Sequence, residues 1–559
     1  MDWLKPAKEH FRLRPETERV GGEYDLNLRA TDDDGPVILK VMRDGCDPAL
    51  VGMQIGAINH ARAMDPELPL PEVLGTPFSF RDDTGAARLA WVQRALPGRP
   101  FAEVVEPSLP LLHDLGTMAG RLSRALRGFD HPLLDRAQKW QLAKAGWIGD
   151  HLSVLSGTRR ALVEGILSAF EALRPALDAL PRQAVHNDLN DWNILIRQGI
   201  AAPSAVTGLI DFGDMTRAPV VTDLAILAAY AMLDRDDPEA ALAALVAGYH
   251  GACPVGEGEL ALLWPLIRMR LAVSVVNSTI EAAGRPDDPY VTISQAPAWR
   301  LLERGDLDPA RILARLRLAC GLPVVPEAPA ILGWLDAMRG TFAPVIAEDL
   351  TRFPVGDLSV GGSLCPENPF ALSPGEAAGL GRADTRWLGR YGEPRLIYTE
   401  PAFTGATKSA PRRSVHLGID LFAPAGTALH APLDGTVVRA GVEDGAQGYG
   451  GMVVLRHDTP AGIFHTLWGH LAAGCARLKP GQRIAAGEGF ARIGDLPENG
   501  GWAPHLHLQL GFADDPAWDG VADPDARDLH MARFPTPAAL LNLPDAPLAF
   551  APEPEAALL

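Results

Sequence analysis

Two strings of chemistry-bearing residues within one chain limit what it can fold into. His186-Asn-Asp-Leu-Asn-Asp-Trp-Asn193 has the form HxDxxxxN, and an apolar stretch ending in Asp211-Phe-Gly-Asp214 follows it. Far downstream stand His416-Leu-Gly-Ile-Asp420, Gly469-His470-Leu471 and His505-Leu-His507. The first string is rich in carboxylate and amide oxygens, the donors preferred by a hard cation such as magnesium. The second mixes imidazoles with a carboxylate, the donors of hydrolytic zinc sites. The two donor sets suit different ions, so the chain is expected to build two separate sites.

At 559 residues the chain exceeds a single domain of roughly 100–200 residues. Its 47% hydrophobic content is enough for several cores. A formal net charge of -18 argues against nucleic acid or an anionic membrane as partner, because both attract basic surfaces. It is compatible with cationic, amine-bearing small molecules. The five cysteines (Cys46, Cys253, Cys320, Cys365, Cys475) are scattered and never form CxxC. That argues against a disulfide framework and fits a reducing compartment. The opening MDWLKPAKEH holds no apolar signal-peptide core. No run reaches the ~18 apolar residues of a membrane span. A cytoplasmic location is expected.

Residues 17–42 read as paired strands. Turn signals at Gly21-Gly22 and Asp32–Gly35 precede a strand Val37–Met42 that carries Lys40. A helix is expected over 48–63 and a strand over Arg88–Gln93. From about 110 to 180, apolar residues recur at helical steps. Short strands are expected at 193–196 and 207–210, then helices at 222–250, 258–284 and 307–320. The expected domains are 1–325, a small β-rich lobe before a larger helical one; a connector at 326–385 with helix near 331–350; and an all-β domain at 386–540. Residues 541–559, rich in Pro, Ala and Glu, read as a loose tail.

Phosphoryl transfer requires a carboxylate at the acceptor hydroxyl, oxygen ligands for magnesium and a cation on the nucleotide phosphates. Asp188 suits the first role, Asn193 and Asp211 the second, and Lys40 the third, while His186 would brace the loop. Residues 17–250 resemble the aminoglycoside phosphotransferase-like kinases, which share the bilobal, α+β protein-kinase-like fold. The resemblance rests on Ala184–Ile196, Leu209–Asp214 and Asp223-Leu-Ala225. It implies Asp188 as catalytic base, Asn193 and Asp211 as magnesium ligands, and Lys40 as a contact to ATP phosphate. It also implies that the segment from Gln93 to Leu96 faces the adenine. Asn187 and Met53-Gln54 resemble the hydroxylysine-kinase branch more than the antibiotic-resistance branch. Gln54 departs from the glutamate that usually pairs with the strand lysine. Asp214 and Asp223 read as structural.

Hydrolytic zinc sites use about three protein ligands and keep one position for water, whose pKa the metal lowers. Alternate strand residues share a face, so His505 and His507 project together, away from Leu506, Leu508 and Leu510. His416 and Asp420 would converge in the same way, and His470 follows the Gly469 turn. Residues 386–535 resemble the lysostaphin/LytM-type metallopeptidases through His416–Asp420, Ala423–Thr427, Ala431–Val437, Gly448–Gly451, Leu467–Leu471 and Pro504–His507. The likeness implies zinc on His416, Asp420 and His507, with His470 and His505 as catalytic imidazoles. Trp468 stands where a tyrosine is common. His430, His457 and His465 read as structural, His530 as a surface residue and Cys475 as inert.

The expectation is a bifunctional enzyme. One domain would phosphorylate, with ATP and magnesium, a hydroxyl on a small amine-bearing metabolite of hydroxylysine or amino-alcohol type. The other would be a zinc hydrolase of a peptide or amide. The alternatives are an aminoglycoside O-phosphotransferase, or a kinase fused to a non-catalytic metal-binding scaffold. Relatives of such fusions can continue into a pyridoxal-phosphate domain, which these residues do not include.

Overall fold

A computed structural model describes residues 2–21, 25–199, 204–285, 292–365, 367–379, 386–404, 411–512 and 518–550. Gly22 of the expected first turn and residues 551–559 of the expected tail lie outside them. The chain divides into two units, Met1–Gly321 and Leu322–Leu559. No helix among the described residues is long and apolar enough to cross a membrane.

The first unit opens with an antiparallel five-stranded sheet in the order Glu18–Val20, Leu26–Thr31, Pro36–Val41, Ala87–Arg94, Val73–Arg81. Alternation puts Leu28, Ala30, Val37, Leu39, Val41, Ala90 and Val92 into one core with Leu4 and Phe80. Lys40 is out of phase with Leu39 and Val41, so it projects from the opposite face. There it stands beside its cross-strand neighbour Trp91, with Nζ 5.5 Å from the ring centroid. The strand Val73–Arg81 was not expected from sequence. Its Gly75 and Pro77 interrupt the apolar alternation and coincide with a register shift between Leu74 and Phe78.

Helices make up most of the rest of this unit. Leu109–Ala125 and Pro238–Ala252 pack backbone to backbone. A Cβ on Gly116 would lie 1.9 Å from the Leu245 carbonyl oxygen, and one on Gly248 would lie 1.9 Å from that of His113. Only glycine permits that approach. The helical run expected over 110–180 is interrupted. Gly128, at φ +83°, and Pro132 stop the first helix, and 3-10 turns Pro132–Asp135 and Leu142–Val154 precede helix Gly157–Asp178. The region 222–250 likewise forms two helices, Val221–Ala231 and Pro238–Ala252, the second N-capped by Asp237.

Two short ladders hold the polar loops in place. Strand Arg182–Val185 pairs with Thr216–Pro219, and Ile194–Arg197 pairs with Ala205–Leu209. The loop 186–193 is therefore tied at both ends beside the loop 210–215.

In the second unit a seven-stranded antiparallel sheet runs Trp387–Gly389, Ile419–Phe422, His505–Gly511, Gly462–Leu471, Gly450–Thr459, Gly435–Glu443, Arg483–Ile484. Leu506 and Leu508 enter a core with Ile419, Leu421, Val453, Leu455 and Trp468. Residues 328–350 join this body rather than standing apart as a connector. Ile331, Leu335 and Phe342 pack with Phe464 and Leu510, and Val345, Ile346 and Leu350 enter the main core. Packing also continues past 540, since Leu541, Leu543 and Leu548 are buried. Proline-rich composition does not exclude burial where single apolar residues meet a waiting sheet face.

Candidate active site and metal centre

In the first unit Lys40 and Asp211 meet, with Nζ donating to Oδ1 at 3.1 Å. Gln54 is buried on helix Pro48–Met64. Asp188 and Asn193 also meet, because Asn193 Nδ2 donates to the Asp188 carbonyl and to its Oδ2, both at 2.9 Å. Asn190 donates to the same Oδ2 at 3.0 Å. Both loops bend through left-handed backbone, with Asn187 at φ +67° and Asp211 at φ +65°. Residues other than glycine rarely hold such angles away from functional sites. Asp223 secures the first bend by accepting the backbone N–H of His186 at 2.8 Å and of Asn187 at 2.7 Å. The His186 ring reaches the Ile210 carbonyl at 3.0 Å and so ties the two loops together. Gln93 is buried near the end of its strand, and Leu96 sits against Gly208 beside Leu195.

The charges here are crowded. Lys40 holds the Asp211 carboxyl below its ordinary range against the effect of burial. Asp214 is pushed up to about 7, first by burial and then by Asp188 and Asp211. A cation among these carboxylates would relieve that repulsion, which is the demand a divalent metal meets.

One residue that sequence reading missed also touches Asp188. Arg270, on helix Glu257–Gly284, is 2% exposed and donates from Nη2 to Asp188 Oδ1 at 2.9 Å. A signal for it was present: Arg268 and Arg270, two residues apart in an apolar helix, cannot both face outward.

In the second unit register assembles the site. Asp420 is the cross-strand partner of His507, and His507 is in turn the partner of Gly469. His416 Nε2, His507 Nδ1 and Asp420 Oδ1 stand 3.0 and 3.1 Å apart. A tetrahedral ion with bonds of about 2.0–2.1 Å holds its ligand atoms about 3.3 Å apart, so this triangle fits zinc with little adjustment. The three residues form the cluster suited to a metal among the described residues. His416 and Asp420 do not share one continuous strand, as expected from their spacing. Val415–His416 pairs with Val521–Ala522, and a new strand starts at Ile419. Between them Gly418 leaves room for His507, whose Cε1 would lie 2.5 Å from a Cβ there.

The outer contacts orient the rings. His416 Nδ1 lies 2.8 Å from the Arg390 carbonyl, His470 Nδ1 lies 3.1 Å from that of Asn499, and His505 Nδ1 lies 2.6 Å from that of Ala503. Each Nε2 is thereby left as the site-facing acceptor. Burial pushes His416 down to about 4, with Arg395 reinforcing it, and pushes His470 well below the usual imidazole range. These rings are therefore neutral, as metal ligation requires. Burial opposes charge on Asp420, but the Arg395 guanidinium beside it helps to hold the carboxyl well below the usual range. Asp420 Oδ2 accepts from Arg395 Nη1 at 2.6 Å, and Arg395 Nε donates to Glu393 at 2.7 Å. That leaves Oδ1 for the metal. No local sequence signal marks Arg395.

His470 and His505 lie with ring centroids 4.4 Å apart beside the triangle. A cavity of about 330 Å³, walled by Tyr398, Phe403 and Trp502, opens onto them. It is of the size that holds a small ligand or a residue of a peptide. His457 is bonded to the Asp434 carbonyl and to Thr466, inside the sheet and away from this cavity. Cys475 is buried in the core.

Residues 16–263 match the phosphotransferase enzyme family APH, and residues 414–517 match peptidase family M23. A hydroxylysine kinase of Danio rerio is 26% identical over 290 residues, covering 49% of this chain and 81% of that protein. One of Mus musculus is 29% identical over 295 residues, covering 49% and 78%. A solved amicoumacin kinase in complex with AMP-PNP and Ca2+ aligns with a TM-score of 0.41 at 17% identity, covering 54% of this chain and 93% of its own. The chain thus joins an APH-family phosphotransferase domain of kinase-like fold to a β-rich M23-family domain.

Proposed function

We propose that the first unit transfers the γ-phosphoryl group of ATP to a hydroxyl on a small amine-bearing metabolite of the hydroxylysine or amino-alcohol type. The observation that carries this is the joined loop pair: Asp188 bonded to Asn193, beside Asp211 bonded to Lys40. Magnesium, when bound with ATP, would neutralise developing phosphate charge, with Asn193 and Asp211 as its ligands. Asp188 orients the acceptor hydroxyl and takes its proton. Lys40, released from Asp211, meets the phosphates. Gln93 and Leu96 flank the adenine. The curated relatives named hydroxylysine kinase support this acceptor class. The reading suits a cytoplasmic protein, where ATP is available.

The second unit we read as a zinc hydrolase of a peptide or amide. The ligand triangle carries this reading. His416, Asp420 and His507 would hold the metal, which would supply an acidified water. His470 and His505 present neutral Nε2 atoms at the cavity, where one can accept a proton and, once protonated, donate to the oxyanion.

The test is ATP turnover by the purified chain with hydroxylysine, ethanolamine, homoserine and a panel of aminoglycosides. Turnover of the metabolites supports the reading, and turnover of aminoglycosides alone overturns it. Zinc content, with peptide and amide hydrolysis measured before and after chelation, tests the second unit.

A further inference from the structure

Arg270 is costly to bury, and its ion pair with Asp188 uses only part of it. Nη2 serves both Asp188 Oδ1, at 2.9 Å, and the Tyr230 hydroxyl, at 3.2 Å. Nε and Nη1 are shut off from solvent and have no hydrogen-bond partner among the described residues. The guanidinium lies near two rings, 5.1 Å from the Trp140 centroid and 5.4 Å from that of Tyr230. Nε–H and the Nη1 amino group open on different sides of the guanidinium, and each can donate one charge-assisted bond to a carboxylate oxygen. Folding alone does not explain two orphaned donors on a buried cation, because native interiors satisfy such groups.

Two further unpaired groups share the neighbourhood. Asn277 follows Arg270 by two helical turns and so lies on the same face of helix Glu257–Gly284. It is 6% exposed, and its Oδ1 is buried without a partner among the described residues. Asp191, three residues past Asp188 on the same loop, also has a buried, unbonded Oδ1. Its charge is felt by Tyr230, and it in turn feels Arg270. A buried cation and an amide on one helix face, and a carboxylate on the loop that the cation grips, thus each keep an open valence.

We propose that Arg270, Asp191 and Asn277 form an acceptor subsite for the zwitterionic head of an amino acid. Arg270 takes the carboxylate, and Asp191, aided by Asn277, takes the ammonium. Because Arg270 also grips Asp188, a molecule anchored here presents a side-chain hydroxyl to Asp188 across a short carbon chain. The acceptor class is therefore hydroxy-amino acids, and simple amino alcohols and aminoglycosides, which lack the carboxylate, fit less well. This rests on the phosphotransferase reading of the same site and narrows it.

The experiment is calorimetric titration of the full chain, with magnesium and a non-hydrolysable ATP analogue present. It uses two matched pairs: homoserine against 3-aminopropanol, and 5-hydroxylysine against its decarboxylated diamino alcohol. The carboxylate-bearing member of at least one pair should bind on the order of 100-fold more tightly, the upper scale of a hydrogen bond to a charged group. Arg270→Met should erase that difference while nucleotide affinity stays the same. Arg270→Lys should keep part of it, and Asp191→Asn should weaken amino acids without a matching loss for their N-acetyl forms. Equal affinities within both pairs on the unaltered protein, or no binding by any of the four, overturn the proposal even if no Arg270 variant folds. Phosphoryl transfer measured alongside separates the two readings. Tight, carboxylate-dependent binding without transfer removes the kinase reading and leaves the subsite. Transfer without discrimination removes the subsite and leaves the kinase.

Discussion

The two sites are assembled by different means. In the second unit, strand pairing sets the ligands. Asp420 faces His507 across a ladder, and Gly469, the residue before His470, faces His507 across the next. A slip of one residue would turn the set away from the cavity. In the first unit, loops and a helix supply the groups. Lys40 comes from a strand, Asp188 and Asn193 from one loop, Asp211 from the next, and Arg270 from a helix 82 residues past Asp188. Side-chain bonds and Asp223 hold these parts in register. A site fixed by a ladder is pre-formed, which suits rigid metal ligation. A site joined by side chains can exchange partners, and in the proposed mechanism Lys40 would do so, leaving Asp211 for a phosphate.

The comparison can be broken at several points. The largest effect is expected at His507. His507→Ala should take bound zinc from one equivalent to none by elemental analysis, while phosphoryl transfer continues at its original rate. Loss of both activities would show that the sites are not separate. Asp188→Asn should lower kcat for transfer by about 10²–10⁴-fold, the usual contribution of a positioned base. Nucleotide affinity, measured by titration, should be unchanged, and unaltered turnover would remove Asp188 from the mechanism. Arg395→Met leaves every metal ligand in place but frees Asp420 Oδ2, so zinc affinity in a competition assay should fall about 10–100-fold. If affinity holds, the ladder alone orients Asp420. The smallest effect is expected at Gly418, where a methyl group would press on His507. Gly418→Ala should cost about 1–3 kcal/mol, read as a lower denaturant midpoint for the second unit. No loss would mean that His507 has more freedom than the ladder picture allows.

The two sites were also unequally legible in the chain. His416, Asp420, His470, His505 and His507 fall in short strings whose spacing follows from strand geometry, so all five were readable. Asp420, His470, His505 and His507 converge on one cavity through a shared sheet, and His416 joins them from a separate two-stranded ladder. Asp188, Asn193 and Asp211 were readable for a related reason, because the bends they occupy are short and tied by flanking strands. Arg270 and Arg395 were not singled out. Each acts on a residue distant in sequence, Arg395 reaching Asp420 25 residues on, and the Arg268/Arg270 spacing marks an inward arginine without naming its partner. The region 328–350 was misread as a connector for a similar reason. Its isolated apolar residues find partners only once Phe464 and Leu510 form a surface.

The residues alone determined which atoms are available: oxygen donors on a tight turn in one half and imidazoles at strand spacing in the other. Those depend on side-chain chemistry and on dihedral preferences that act within a few residues. Only the tertiary structure decided that Arg270 lies against Asp188 with two donors unspent, and that Arg395 takes one oxygen of Asp420 and leaves the other free. Such pairings join residues far apart in the chain. They persist because a charge shut away from water must find an opposite partner, wherever packing has placed one.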